Sequence, residues 1–240
     1  MITIKPLASS SKGNAYWITD GQTPLLLECG IPFKEIQKGT GFRTLEIEGC
    51  LISHCHRDHC KSVKDVIKGG LDVYVSEGTK QALVESGDLS GGLHRVNVVE
   101  PKKQFALCSW TVLPFELQHD VENFGYLLQN RVGEKLIYIT DSFYCRYKFA
   151  GLTHIMIECN YSRDILNANV ESGAVPVAMK KRLLSSHMSL ETAKEFLKAN
   201  DLSEVQEIIL IHLSDGNSDE ARFKREIQEL TGKLVRIAQA

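Results

Sequence analysis

Three of the chain's eight histidines fall within six positions, in His54-Cys55-His56-Arg57-Asp58-His59, with a carboxylate among them. Titratable groups crowded this closely repel or desolvate one another unless a cation compensates, and neutral imidazoles with carboxylates suit zinc, manganese or iron(II). Three more candidates stand singly, each just after an apolar run: His119 after Leu113 to Leu117, Asp141 after Ile137-Tyr138-Ile139, and His212 after Ile208 to Ile211. Ligands recruited from strand ends converge on one rim, which predicts a metal-dependent chemistry spread over the length of the chain.

The elements that must position these residues are legible from apolar periodicity. Strands are predicted at Tyr16 to Thr19, Pro24 to Leu27 and Leu45 to Ile52, the last delivering the chain to His54. Val63, Val66 and Ile67 then recur at helical spacing until Gly69-Gly70, so His59 belongs near a helix's first turn. Further strands are predicted at Leu71 to Val75, Trp110 to Leu117, Phe124 to Gln129, Lys135 to Thr140 and His154 to Ile157, with a hairpin turn over Asn130 to Glu134. Leu190, Ala193, Phe196 and Leu197 form a helical stripe, Ile208 to Ile211 a buried strand, Phe223, Ile227 and Leu230 a second helix, and Leu234 to Ile237 a last strand. Two halves of strands followed by helices fit an α/β four-layer αββα sandwich.

Composition bounds the rest. With 240 residues, 43% of them apolar, and no low-complexity or proline-rich linker, one domain over 1–240 is expected. A formal net charge of −2 gives no global pull on a polyanion, so nucleic-acid binding needs a local patch or the metals. No apolar run is long enough to span a bilayer and Met1 to Lys5 lacks a signal peptide's features, which predicts a cytoplasmic protein without membrane association. Seven cysteines without CxxC spacing are expected as reduced thiols. Cys55 and Cys60 are read as small filler, and His94 and His154 as solvated or packing residues. Lys180-Lys181-Arg182 is a basic cluster or a solvated face, and Ser9 to Asn14 an anion loop or a plain turn.

On the residues Ser9 to Asn14, Leu27 to Gly30, Ser53 to His59, His119-Asp120, Thr140 to Ser142, Ile157-Glu158, Ser186 to Ser189 and Ile211 to Ser214, the sequence resembles the metallo-β-lactamase superfamily. It most resembles the WalJ/YycJ-type and ribonuclease Z-like phosphodiesterase branch. The resemblance implies two divalent metal ions, zinc or manganese. His54, His56 and His119 would hold one, Asp58, His59 and His212 the other, and Asp141 would bridge them. Glu28 departs from the family's usual aspartate, so the support of the site is expected to differ locally. His187 resembles the branch's histidine that pairs with a glutamate, and Glu158 occupies the glutamate's position. A carboxylate beside an imidazole orients it and favours its protonated form, which suits a proton donor to a leaving oxygen.

The resemblance thus implies a dinuclear metal-dependent phosphodiesterase with Asp58 as base and His187, steadied by Glu158, as acid. DNA or RNA is the expected substrate. A small or cyclic nucleotide is an alternative, and a carboxyl-ester, lactone or thioester hydrolase another, since acyl transfer does not need the Glu158-His187 pair. A homodimer is expected because closed twofold pairs are the commonest assembly.

Overall fold

Buried Ile4 and the apolar run Ala15 to Ile18 drive the opening hairpin, in which β1 (Thr3–Ser10) pairs antiparallel with β2 (Gly13–Thr19) and Ser10 faces Gly13 across the turn. This computed structural model describes residues 1–239, in two compact units. The first is built chiefly from Met1–Glu116 and Val121–Gly133, the second from Leu117–Asp120 and Glu134–Ala238.

In the first unit, β3 (Pro24–Leu27) pairs antiparallel with β2, and α1 (Phe33–Gly39) follows. Then come β4 (Cys50–Leu51), α2 (Arg57–Cys60), α3 (Val63–Lys68), β5 (Val73–Val75), α4 (Glu77–Glu85) and β6 (Val96–Val98). Strands β1 to β6 form one sheet in chain order, parallel from β3 onward. Leu26, Ile36, Cys50, Ile52, Val63, Val66 and Val73 make the buried core between this sheet and its helices. The unit also contains β7 (Phe105–Leu107), which pairs antiparallel with β8 (Trp110–Leu117), and β9 (Asn123–Asn130). From β9 the Tyr126 hydroxyl donates to the Ile52 carbonyl at 2.8 Å, and the Phe124 N–H donates to the Ser53 carbonyl at 3.1 Å. The chain entering His54 is thereby pinned on its far side.

The second unit has four parallel strands, β10 (Lys135–Ile139), β11 (His154–Glu158), β12 (Glu207–Ile211) and β13 (Leu234–Ile237), side by side in chain order. Helices α5 (Arg163–Glu171), α6 (Val177–Ser186) and α7 (Leu190–Ala199) join β11 to β12, and α8 (Glu220–Thr231) joins β12 to β13. Every residue of β11 is buried, as expected of a central parallel strand. Ser189 caps α7 by accepting from the Thr192 N–H, and Asp219 caps α8 by accepting from the Arg222 N–H.

Most predicted strands and both C-terminal helices are found within a residue or two. Leu45 to Ile52 is a difference: only Cys50–Leu51 is strand, and Thr44–Glu46 is a 3-10 turn that leaves Leu45 exposed. Glu46, Glu48 and Gly49 interrupt the apolar run before it can pair. Helix α6 gave no stripe to read because only Ser186 of its ten residues is buried. All seven cysteines are free. No helix among the described residues is long and apolar enough to cross a membrane.

Candidate metal centre

The candidate ligand residues of the first unit sit where β4 runs out and α2 begins. His54 and His59 are fully buried, with ring centroids 4.3 Å apart, and half-buried His56 stands edge-on to His54 at 4.7 Å. Asp58 keeps 24% of its side chain exposed, its Oδ2 lying 3.4 Å from His59 Nε2. One ring nitrogen of each buried imidazole is engaged from behind. His54 Nδ1 meets Ser53 Oγ at 2.9 Å, and His59 Nδ1 lies 3.4 Å from Glu28 Oε1. Fixing one ring nitrogen so that the other faces a metal is how a supporting shell orients such ligands.

That support depends on a close backbone approach. The Cys29 N–H donates to the His59 carbonyl at 2.8 Å and the Ser62 N–H to the Cys29 carbonyl at 2.9 Å. A Cβ added at Gly30 would fall 1.7 Å from the Asp58 carbonyl oxygen, so only glycine lets this strand end lie against α2. Glu28 is fully buried at φ 62° and accepts from the Ser53 N–H at 3.1 Å through Oε2. The carboxylate departure noted in the sequence is therefore a carboxylate support for His59. Asn14, buried, brings Nδ2 within 3.2 Å of His59 Nε2 and 3.3 Å of the Asp58 carbonyl. Sequence reasoning saw Ser9 to Asn14 as a turn or an anion loop and missed this contact, for which the only local signal was an amide following a hairpin glycine.

In the second unit the residues stand at the carboxyl ends of parallel strands, the usual edge for chemistry in such sheets. Asp141 follows β10, Glu158 ends β11 opposite Ile211, and His212 follows β12. Asp141 and His212 adopt left-handed backbone, φ 45° and 53°, which turns each side chain out of its strand's alternation. Asp141 Oδ1 lies 2.5 Å from His212 Nδ1, and Asp141 Oδ2 lies 4.0 Å from His119 Nε2. His119 is held through Nδ1 by the Ser186 carbonyl at 3.0 Å, and its Nε2 lies 3.1 Å from Asp120 Oδ1. Asp141, Glu158, His187 and His212 each place one ligand-capable atom within 4.8 Å of the others. Such buried carboxylates and imidazoles are a donor set for divalent metal ions.

Glu158 is fully buried and fully employed. Its Oε2 accepts from the Ser142 and Met188 N–H groups, both at 3.0 Å, and its Oε1 lies 2.6 Å from His187 Nδ1. His187, 16% exposed, has its ring 5.4 Å from that of His212 and 5.9 Å from that of His119.

The set-aside residues stay apart from these clusters. His94 is exposed, and buried His154 bonds Thr153 Oγ1 through Nδ1 at 2.9 Å. Cys60 donates its thiol to the Cys55 carbonyl, and burial pushes its pKa well up, as befits filler. Lys181 and Arg182 are exposed on α6.

With fold and site in view, the family follows. Residues 32–213 match the Beta-lactamase superfamily domain, and the chain belongs to that superfamily. Among curated proteins it is 26% identical over 223 residues to the exodeoxyribonuclease WalJ of Streptococcus pneumoniae, covering 88% of this chain and 81% of that protein. Among solved structures it is similar to the metallo-β-lactamase fold protein YhfI of Bacillus subtilis, with TM-score 0.75 and 16% identity over 99% of this chain and 96% of that one. Human tRNase Z, short form, matches with TM-score 0.67 and 14% identity, covering 100% of this chain and 96% of that one. A diphosphatase of the PhnP family gives TM-score 0.69 and 14% identity over the same shares. The α/β metallo-β-lactamase fold expected from the sequence is the fold of this chain.

Proposed function

We propose that the chain is a dinuclear metal-dependent phosphodiesterase, a nuclease acting on DNA or RNA, working as one domain over residues 1–240. The observation that carries this reading is the Glu158-His187 pair: a fully buried carboxylate, locked by two backbone amides, holding a partly exposed imidazole. Expulsion of a sugar alkoxide from phosphorus needs a proton donor, which this pair supplies, whereas a thiolate leaving a thioester does not. Similarity to the WalJ exodeoxyribonuclease supports the same class.

In this reading His54, His56 and His119 would hold one ion and Asp58, His59 and His212 the other, and Asp141 would serve both. Zinc or manganese fits the nitrogen and carboxylate donors. Lewis acidity at the phosphoryl oxygen and acidification of the attacking water are what two such ions supply when bound. Asp58, with a quarter of its side chain open to solvent, takes the proton of that water. His187 gives the leaving oxygen its proton from Nε2, because Nδ1 is engaged by Glu158. Acid and base thus act at opposite ends of the displacement. The reading extends to a cytoplasmic homodimer, which light scattering at micromolar concentration would resolve from a monomer.

The test is a ratio of rates. His187→Ala should slow cleavage of an oligonucleotide by roughly 10²–10⁴-fold, the usual worth of a placed general acid. Toward bis(p-nitrophenyl) phosphate, whose leaving group departs unprotonated, the same variant should lose far less. Equal slowing of both substrates would remove His187 as the acid, and with it the observation on which this reading chiefly stands. A panel of oligonucleotides, cyclic nucleotides and an acyl ester then fixes the substrate class.

A further inference from the structure

Beside the histidine motif, α1 and the α2–α3 segment enclose an open groove of about 720 Å³. Lys34, Arg57, Lys61 and Lys68 line it, against the single carboxylate of Asp65. All four cations are exposed, and among the described residues none of them forms an ion pair or a side-chain hydrogen bond. Several other cations of the same unit are paired. Lys38 pairs with Glu35, Arg95 with Asp72 and Lys103 with Glu100, each within 3.0 Å. In a chain of net charge −2, four unneutralised cations facing one cavity are a local anion site that the overall composition hides.

The groove also has a ring. Phe33, half-buried, lies so close over Gly69 that a Cβ there would sit 2.7 Å from its Cζ. Glycine at 69 therefore lets the ring lie against backbone at the groove's edge. Cations that track a backbone, combined with an aromatic platform for a base, are the parts of a sequence-tolerant single-strand site. Arg57 lies between His56 and Asp58 in the chain, so this wall is continuous with the ligand motif.

We propose that this groove binds the phosphate backbone of a single nucleic-acid strand, with Lys34, Arg57, Lys61 and Lys68 meeting phosphates and Phe33 stacking on a base. The inference rests on the nuclease reading and says how that substrate is gripped.

The test uses the full metal-loaded chain, a fluorescently labelled poly(dT) strand with cleavage-resistant phosphorothioate linkages for the binding measurement, and the double variant Lys34→Gln/Lys68→Gln, which leaves the ligand motif untouched. For single strands each phosphate contact contributes about 0.7 to the slope of log affinity against log salt. The double variant should therefore lower that slope by about 1.4 and weaken binding roughly 25-fold at about 0.1 M salt. The ratio of oligonucleotide to bis(p-nitrophenyl) phosphate turnover should fall in step. Phe33 also packs against the core of the first unit, so the variant is Phe33→Leu, which keeps that apolar contact; it should weaken binding by up to roughly 5- to 150-fold with the slope unchanged, as loss of a stacked base does. A double variant with the wild-type slope overturns the groove even if the wild type cuts DNA, leaving the nuclease reading intact. A wild type that binds with the expected slope but cuts no nucleic acid overturns the nuclease reading and keeps the groove. A wild type that neither binds nor cuts overturns both.

Discussion

Glu28 in the first unit and Glu158 in the second are the same device put to different use. Both are fully buried at a strand's end, both accept from backbone N–H groups, and both face the Nδ1 of an imidazole. The imidazole differs. His59 is sealed from solvent and stands 3.4 Å from Glu28, whereas His187 keeps 16% exposure and stands 2.6 Å from Glu158. A sealed ring can be oriented but has no water with which to exchange a proton. A partly exposed ring, held as firmly, can be recharged after each turnover. In the proposed mechanism, solvent access, more than the partner, would separate a supported metal ligand from a proton donor.

The comparison breaks most completely if the metals are lost, because both devices then have nothing to serve. Asp141→Ala should lose metal and activity together, by more than the roughly 10- to 100-fold that supporting residues contribute to metal affinity. Elemental analysis alongside a rate assay checks it; a stable, active, metal-free protein would end the proposed mechanism. A paired experiment sharpens the contrast. Glu28→Gln should weaken metal affinity by about 10- to 100-fold while the ratio of oligonucleotide to bis(p-nitrophenyl) phosphate rates holds. Glu158→Gln should do the reverse: metals stay, the ratio falls by about tenfold or more, and the alkaline limb of the pH profile moves to lower pH as the ring loses its anion. Identical behaviour of the two variants would mean that exposure does not divide their roles.

The smallest effect concerns a histidine outside both devices. Burial of His154 lowers its pKa, with Glu134 and Glu207 opposing part of the shift. A group that binds protons less readily when folded adds stability above its ordinary pKa of about 6.5, and that stability drains as pH falls through this value. His154→Gln should therefore flatten the fall in thermal stability between about pH 7 and pH 5, with little effect on activity. An unchanged slope would assign the acid sensitivity elsewhere.

How legible each half was in the sequence follows from how each is built. The first unit packs its candidate ligands into six consecutive residues, and such density stands out from a surface loop. In the second unit His119, Asp141 and His212 stand singly, and only their position after apolar runs marks them. Glu158 and His187 lie 29 residues apart in the chain, yet a single hydrogen bond joins them. Family resemblance was needed to pair them. Least legible were the supports. Asn14 and the close approach at Gly30 act through backbone proximity, which leaves no period in the sequence. The groove was missed for a related reason, since Lys34, Arg57, Lys61 and Lys68 are spread over two segments and none forms a run.

Left-handed backbone at Asp141 and His212 bears on how this chain changes over generations. Aspartate and histidine are among the few types with a Cβ that enter this region readily, so the backbone admits both at little strain. Glycine at either position would free the backbone but break the buried hydrogen bond between Asp141 and His212, a loss of about 1–3 kcal/mol. The two positions are therefore expected to drift as a pair: relatives that have abandoned the chemistry should have changed both, and a chain that has lost one alone should melt at a lower temperature.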